Sequence, residues 1–238
     1  VHLVGGSVTA SSYAASFAAS IQGTTTIIDS SSSMTIAANG TGGLVGVNQT
    51  GSFTTTITRS SFTGNLSSPG TSYVGGIMAI VLNGQLTVTD CYTSGNYSGN
   101  QYVGGLVGYG DTVTISNCYS SASLTGTGGS SDVGGLIGAM TSGTITNSFA
   151  ATPITTSSPF RGGVFGYGDG AQPSAYFDIT LAGTSSCTPM GSATCNGVNA
   201  GSSEPNYFKQ NKTNPPLNTW NFAGVWKRST SYPVFGAD

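Results

Sequence analysis

Short runs in which apolar and hydroxyl-bearing residues alternate return along most of the chain. The clearest runs each close on Cys or Ser followed by an aromatic residue, and they are Val88–Tyr92, Ile115–Tyr119 and Ile145–Phe149. A period of two is typical of strands with one buried face, and the Gly, Ser and Asn residues between the runs are typical of turns. The pattern therefore predicts about three short strands in each repeating unit.

A phrase of two glycines, two apolar residues and a small residue gives the repeat its period. It occurs five times, at Gly42–Gly46, Gly75–Ala79, Gly104–Gly108, Gly134–Gly138 and Gly162–Gly166. The first glycines are 33, 29, 30 and 28 residues apart, and self-similarity at such a period is typical of solenoids. We therefore predict an all-β fold, a right-handed parallel β-solenoid with coils of about 28–33 residues and irregular terminal caps.

In a parallel stack each coil lies about 4.8 Å above the last, so equivalent positions form columns of like residues. The third residue of the phrase predicts one inward column, made of Leu44, Ile77, Leu106, Leu136 and Val164. Because side chains alternate along a strand, the fourth residue should point to the opposite face. That second column, which would also need cover, is Val45, Met78, Val107, Ile137 and Phe165. The double glycine predicts a corner with positive φ or a close backbone approach.

The aromatic residues that close the runs predict a further column, made of Phe62, Tyr92, Tyr119 and Phe149. The run from Ile57 to Phe62 is one residue longer than the others, which suggests a bulge. Cys91 and Cys118 occupy equivalent positions beside this column on neighbouring coils. We expect two small buried side chains there, and a lateral disulfide between them stays open as the alternative.

The phrase and its flanks resemble the GLUG repeat, which is named for a Gly-Leu-any-Gly core and occurs in secreted, adhesin-like surface proteins. The resemblance covers residues 42–170 and extends less closely to the end of the chain. It implies a parallel β-solenoid that is secreted and lies at a cell surface, and it implies no reaction. The chain then divides into an N-terminal cap with irregular first coils (1–41), the solenoid repeats (42–170) and a C-terminal segment (171–238).

Composition narrows the classes of partner. Of 238 residues only 6% are charged, 37 are glycine, and the formal net charge is −2. Nucleic-acid binding needs a basic surface, so we expect no nucleic-acid partner. No apolar run approaches the roughly 18 residues of a membrane span, so we expect no membrane insertion. The start at Val1 fits a chain from which a signal peptide has been removed.

Five Asn-X-Ser/Thr sequons are candidate glycosylation sites in a secreted protein. They begin at Asn39, Asn48, Asn65, Asn96 and Asn211. Sequons also arise by chance in a chain rich in Ser and Thr, so their occupancy stays open.

The C-terminal segment carries two features of its own. Cys187 and Cys195 lie eight residues apart in a stretch rich in Gly, Ser, Thr and Pro, which favours a local disulfide in an extracellular protein and is poor spacing for zinc. An aromatic cluster follows, made of Trp220, Phe222, Trp226, Tyr232 and Phe235. We expect it to form a C-terminal cap, or else a contact surface for assembly or for a ligand such as a sugar.

The sequence offers little for catalysis. The aspartates are scattered, and Asp111 and Asp169 follow equivalent Tyr-Gly pairs, where a turn-forming role accounts for them. The single histidine is His2, and the chain has neither a nucleophile elbow nor a phosphate-binding loop. We therefore expect no enzymatic activity, no metal and no cofactor.

Three non-enzymatic functions fit these observations. A solenoid with two unlike ends favours a homo-oligomeric surface filament built by head-to-tail contacts between copies of the chain. One alternative is an adhesin that binds glycans or a host surface. A second is an ice-binding solenoid, which requires Thr-x-Thr columns on successive coils. Three triplets are predicted to align in this way: Thr87–Thr89, Thr112–Thr114 and Thr144–Thr146.

Overall fold

The computed structural model describes residues 1–48, 51–70, 72–199, 206–209 and 214–236. These residues form a β-solenoid in which each coil adds a strand to each of several parallel sheets. The prediction of an all-β parallel solenoid is confirmed.

The strands of the lower coils follow one another at short intervals. In chain order they are β1 (His2–Leu3), β2 (Ser7–Thr9), β3 (Tyr13–Ala14), β4 (Ala18–Ile21), β5 (Thr25–Ile28), β6 (Ser31–Ser32), β7 (Thr35–Ala37), β8 (Gly40–Gly42), β9 (Val45–Asn48), β10 (Thr54–Thr58), β11 (Ser61–Phe62), β12 (Asn65–Ser68), β13 (Tyr73–Gly75) and β14 (Met78–Thr89).

The upper coils repeat the same plan. Their strands are β15 (Tyr92–Thr93), β16 (Asn96–Gly99), β17 (Tyr102–Gly104), β18 (Val107–Ser116), β19 (Tyr119–Ser120), β20 (Ser123–Gly126), β21 (Asp132–Gly134), β22 (Ile137–Thr146), β23 (Ser148–Ala150), β24 (Ile154–Thr156), β25 (Arg161–Gly162), β26 (Phe165–Tyr167) and β27 (Ala171–Asp178). The chain continues through helix α1 (Ile179–Ala182), β28 (Thr194–Val198), a 3₁₀ turn (Leu217–Thr219), β29 (Trp226–Lys227) and β30 (Val234–Phe235).

Four parallel sheets run along the described part of the rod. Sheet A has the order β1-β6-β11-β15-β19-β23-β27-β28, sheet B β2-β7-β12-β16-β20-β24, and sheet C β3-β8-β13-β17-β21-β25. Sheet D has the order β5-β10-β14-β18-β22-β26, with β4 and β9 beside it. In sheet C the register stays in step between coils, so that the first glycines of the repeated phrase pair with one another. In sheet D the register shifts where β14 pairs with β18, between Val81 and Gln85.

The turn from sheet D into sheet A is made by a residue in the left-handed region, where Asn and Asp are favoured. The five residues with φ between 44° and 52° at this corner are Asp29, Arg59, Asp90, Asn117 and Asn147.

The position after each of these corner residues forms a hydrogen-bonded ladder along the rod. Its members, Ser30, Ser60, Cys91, Cys118 and Ser148, each donate to the carbonyl two residues earlier, and the last four accept a backbone N–H from the coil below.

The double glycine makes the corner between sheets C and D. At Gly43 an added Cβ would lie 2.0 Å from the carbonyl oxygen of Gly76, and at Gly105 it would lie 2.3 Å from that of Gly135. Neither glycine has positive φ. Of the two explanations offered by the sequence, close backbone approach is therefore the one that applies.

Both apolar columns of the phrase point into the rod, and the predicted alternation between faces is wrong. Leu44 and Val45 have no exposed surface, and the same holds for their equivalents on the later coils. The reason is the corner: β8 ends at Gly42 and β9 begins at Val45, so the two apolar residues flank a bend instead of alternating along one strand.

The predicted aromatic column is also corrected at its first member. Ser61, not Phe62, pairs with Tyr92, while Phe62 pairs with Thr93. The run from Ile57 to Phe62 therefore has no extra residue or bulge against the next coil. Phe62 lies one position further along its strand, points inward and has no exposed surface.

The two ends of the rod differ, and the N-terminal end is not an irregular cap. Residues 1–28 form a complete regular coil whose strands β1 to β5 pair in parallel with the coil above. At the other end, the loop that contains Ser186 and Cys187 accepts hydrogen bonds from the backbone N–H groups of Gly163, Val164 and Phe165. This loop covers the last copy of the repeated phrase.

Candidate functional site

The threonine-rich surface of sheet D forms longer rows than the sequence predicted. Thr26, Thr56, Thr87, Thr114 and Thr144 lie in one row across five coils. Beside it runs a second row made of Ile28, Thr58, Thr89, Ser116 and Thr146. We call these ten residues the threonine face. All are at least partly exposed, while the residues between the rows, such as Ile57, Val88 and Ile115, are buried.

One of the three predicted triplets was placed in the wrong register. Thr114, not Thr112, pairs with Thr87 and Thr144, and Thr112 pairs instead with Gln85 and Ser142. Equivalent positions of these two coils are 27 residues apart in the sequence, as Thr87 and Thr114 show. The predicted alignment had assumed a separation two residues shorter. The corrected column is more regular than the predicted one.

The aromatic cluster of the C-terminal segment lies on the side of sheet A, not over the end of the rod. Tyr92, Tyr119 and Phe149 stack along sheet A with ring centroids 5.3 Å and 4.9 Å apart. The C-terminal segment covers this stack and forms with it a second hydrophobic core. We call this covering layer the aromatic flank; its members are Phe208, Leu217, Trp220, Phe222, Trp226, Tyr232 and Phe235.

Hydrogen bonds fix the aromatic flank to three successive coils. The indole N–H of Trp226 donates to Asp90, 3.4 Å away, and that of Trp220 donates to the carbonyl of Asn147 at 2.8 Å. The hydroxyl of Tyr119 donates to the carbonyl of Pro233 at 2.7 Å. Both tryptophans are buried. The aromatic residues nominated for assembly or ligand contact are thus engaged within the chain itself, which leaves their indole faces unavailable to a sugar.

The cysteines fall into one bonded pair and two free thiols. Cys187 and Cys195, the pair favoured by the sequence, form a disulfide with their Cα atoms 5.7 Å apart. Cys91 and Cys118 are free and buried. The thiol of Cys118 accepts the backbone N–H of Cys91, so the two residues belong to the ladder at the corner. Burial raises the pKa of the Cys118 thiol, which keeps it protonated and unreactive.

The sequons differ in accessibility. Asn39, Asn65 and Asn96 are exposed, whereas Asn48 is fully buried together with both polar atoms of its amide. A glycan at Asn48 would not fit the folded chain, so this candidate is withdrawn. Asn65 and Asn96 are neighbours on adjacent coils, and the amide of Asn96 donates to that of Asn65. Asn211 lies outside the described residues.

His2 is not part of a catalytic triad in the described chain. Its Nδ1 lies 2.7 Å from the hydroxyl oxygen of Ser31. The nearby carboxylate of Asp29 receives two hydrogen bonds from Arg59 instead, at 2.7 Å and 2.9 Å, and this pair lowers the pKa of Asp29. The aspartate that would have to orient the histidine is therefore committed to an arginine.

Tyrosines line a second surface, where sheets C and D meet. Tyr73 and Tyr102 pair in sheet C and stack with their centroids 5.4 Å apart. In sheet D, Tyr109 and Tyr167 lie two coils apart on either side of Ala139. The hydroxyl of each donates to the aspartate two residues later, that of Tyr109 to Asp111 at 3.0 Å and that of Tyr167 to Asp169 at 3.3 Å.

Both columns of side chains are interrupted on the same coil. In sheet C the position after Tyr102 is Asp132, and in sheet D the position after Tyr109 is Ala139. The result is an open groove of about 260 Å³. We call it the tyrosine slot; it is lined by Tyr102, Tyr109, Asp132, Ala139, Thr141 and Tyr167.

Asp132 is half-buried in this slot and has no partner within the described part of the chain, where neither a hydrogen bond nor an ion pair reaches its carboxylate. Burial alone raises its pKa from 3.8 to about 6. Burying an unpaired carboxylate is unfavourable. A carboxylate in a groove whose pKa is shifted in this way is a candidate for a functional residue.

In the sequence, Asp132 is one of the scattered aspartates, and Tyr109 and Tyr167 are the tyrosines of the two Tyr-Gly pairs; no pattern recognised there brought the three together. The missing signal was the residue two before the double glycine, which is Tyr73, Tyr102 and then Asp132 on successive coils. Aligning that position would have shown an aromatic column broken by a carboxylate. The gap at Ala139 could be found in the same way, because it follows Tyr109 in the repeat.

Two further kinds of site are absent from the described residues. No described helix is long and apolar enough to cross a membrane. No described cluster of three or more His, Cys, Asp or Glu residues could hold a metal ion.

Comparison with known families agrees with the repeat geometry. The family model described as the GLUG motif matches residues 99–125. This stretch runs through β17 and β18 to β20 and includes the phrase Gly104–Gly108, so it spans about one coil of the rod. Among curated proteins, none matches the sequence. The matched coil has the same corners as its neighbours, so the chain resembles the GLUG-repeat family over this coil and has a parallel β-solenoid fold.

Proposed function

We propose that this chain is an extracellular structural protein, a subunit that assembles head to tail into a surface filament. The observation that carries the proposal is a set of strand edges on the first described coil for which the described residues supply no partner. Strands β1, β2, β3 and β5 are terminal in their sheets, and no strand of the described residues pairs with their outer edges. Unpaired edges of this kind bind further β-structure, and a second copy of the chain is the partner we propose.

Head-to-tail contact is favoured because the two ends of the rod are unlike. One end presents bare strands, and the other is closed by the loop that holds the Cys187–Cys195 disulfide. When two different surfaces of one chain bind each other, the contact repeats and produces an open fibre. Val1 and Val4 are 70% and 90% exposed on the bare end, and burying them would add to main-chain pairing.

The extracellular part of the proposal has separate support. A disulfide persists in oxidising compartments, and the chain contains one between Cys187 and Cys195. GLUG repeats, exposed sequons and a surface with few charges agree with that location. The aromatic flank was the contact site of the adhesin alternative, and its burial leaves that alternative without the site it was based on.

Blocking the first coil tests the filament. Val4→Lys combined with Ser20→Lys places two positive charges at exposed positions of the first coil, because edge lysines oppose strand addition. We expect the unmodified chain to form rods longer than one subunit in negative-stain micrographs and this variant to remain monomeric in sedimentation.

The matched control is Thr63→Lys with Ser67→Lys, at exposed positions of the third coil, which should assemble normally. A monomeric unmodified chain at high concentration contradicts the proposal. So does a species that stops at a dimer, because a closed dimer means that two first coils pair with each other. Normal assembly of the first-coil variant contradicts the assignment of the interface.

A second function, ice binding, is favoured by the threonine face. Its two rows repeat at about 4.8 Å along the rod and stand about 6.7 Å apart across it, over five coils. Regular hydroxyl and methyl groups of this kind can order a layer of water.

The test of ice binding is thermal hysteresis of the purified chain. Thr114→Lys, in the middle of the face, should abolish it, whereas Ser67→Lys on sheet B should not. Absence of hysteresis in the unmodified chain rejects this function and leaves the filament untouched.

A further inference from the structure

The tyrosine slot lies where Asp132 follows Tyr102 in sheet C and where Ala139 separates Tyr109 from Tyr167 in sheet D. Tyr109 and Tyr167 stand two coils apart, about 9.6 Å at the usual strand spacing, with the methyl group of Ala139 between them as the floor. A group placed midway would lie about 4.8 Å from each ring, which is within the roughly 6 Å range of a cation–π contact. The slot thus has the width of one ligand group between two aromatic walls.

The charged side chains in and beside the slot are all carboxylates, so its charge is negative. Asp132 contributes a carboxylate that no residue of the described chain satisfies. Asp111 and Asp169 lie close by, since they accept the hydroxyl groups of the two wall tyrosines. No lysine or arginine is among the residues that line the slot. A cation would receive favourable contacts from the rings and from the carboxylate together.

Hydrogen bonds fix the positions of the Tyr109 and Tyr167 rings before a ligand binds. Tyr109 is fixed by its bond to Asp111, and its ring also contacts that of Tyr102, with centroids 5.4 Å apart. Tyr102 is supported in turn by its stack with Tyr73. A site whose side chains are already placed loses less conformational entropy on binding than one that must order them.

We propose that the tyrosine slot binds an organic ammonium group, with the cation between Tyr109 and Tyr167 and its charge balanced by Asp132. This binding goes beyond the proposed filament and does not depend on it. A neutral sugar could also stack between the rings, but it would leave the charge of Asp132 uncompensated, so the structure favours the cation.

The test is a titration followed by two-dimensional NMR, with choline as the probe and 3,3-dimethyl-1-butanol as its uncharged analogue of the same shape. Methyl glucoside serves as the neutral sugar. We expect choline to shift the resonances of Tyr102, Tyr109 and Tyr167 saturably. The uncharged analogue should bind at least about tenfold more weakly, a difference of about 1.4 kcal/mol.

Two variants and one control locate the site. Asp132→Asn keeps the shape of the side chain and removes its charge, so choline affinity should fall about tenfold. Ala139→Tyr continues the tyrosine column of its neighbours and fills the slot, so binding should be lost while the fold is kept. Asp29→Asn, at a carboxylate paired with Arg59 on another face, should leave choline binding unchanged.

Three outcomes would contradict the proposal. If the uncharged analogue or the glucoside binds as tightly as choline, the slot recognises shape or sugar and not charge. If Ala139→Tyr folds normally and still binds choline, the ligand lies elsewhere. Absence of saturable choline shifts at concentrations of about 100 mM, well above the range of a millimolar Kd, means that the slot binds no ammonium group.

Discussion

At the scale of single residues, the most informative position is Asp132. Its carboxylate, when ionised, lowers the free energy of unfolding of the protein. Its pKa rises from 3.8 to about 6 on folding. The folded state therefore binds more protons than the unfolded state between these two pH values, and stability falls as pH rises through that window. A half-buried carboxylate that costs stability in this way is better explained by binding than by folding.

We predict that Asp132→Asn stabilises the protein at pH 8 by about 1 kcal/mol, a figure reduced from the full linkage value because the group is half exposed. At about pH 2.5 the variant and the unmodified chain should be equally stable, since Asp132 is then protonated in both states. Urea unfolding at the two pH values measures both effects. Equal stability at pH 8 would show that solvent reaches the carboxylate freely.

A second residue prediction concerns the ladder at the corner. Cys118→Ser should change stability by less than about 1 kcal/mol, because Ser148 already fills the equivalent position and a hydroxyl can accept the same N–H. Cys118→Ala removes the acceptor for the buried N–H of Cys91 and should destabilise by about 1–3 kcal/mol. Denaturant midpoints of the two variants decide between a hydrogen-bonding and a merely space-filling role. Equal midpoints would support the second.

At the scale of strands and corners, the sequence predicted a great deal of the fold. The period, the parallel stacking and the inward column that begins at Leu44 follow from the repeated phrase alone. The direction of Val45 did not, because alternation holds along a strand and fails across a corner. The register of Phe62 and of Thr112 failed for a related reason: counting residues from a motif cannot locate where a coil of 27 to 33 residues is shortened or lengthened.

The corner itself supports a prediction about the double glycine. In Gly105→Ala the new Cβ would lie 2.3 Å from both the Gly135 carbonyl oxygen and the Ser120 hydroxyl oxygen, so neighbouring coils must separate. We expect a loss of at least about 2 kcal/mol, as for other overpacked sites. Gly129→Ala is the control, because no atom lies within 4 Å of its added Cβ. Similar melting temperatures for the two variants would show that the close approach is not required.

At the scale of the whole molecule, the aromatic flank changes how the rod should unfold. Solenoid coils contact only their neighbours, so a bare solenoid can unfold coil by coil. Here the flank reaches Asp90, Tyr119 and Asn147, which lie on successive coils, and binds them to one segment of chain. The sequence could not predict this placement, because an aromatic cluster near one end is equally suited to capping the rod or to covering its side.

The last prediction tests this coupling. Both tryptophans lie in the flank, so tryptophan fluorescence follows the flank while far-ultraviolet circular dichroism follows the coils. In the unmodified chain the two signals should change together during unfolding in guanidinium. Trp226→Ala removes the most deeply buried side chain of the flank at a cost of about 3–5 kcal/mol. The fluorescence of Trp220 should then change at lower denaturant than the circular dichroism, whereas Ile28→Ala, at an exposed position of the first coil, should leave the two transitions together. Coincident transitions in Trp226→Ala would mean that the coils remain one cooperative unit without the flank.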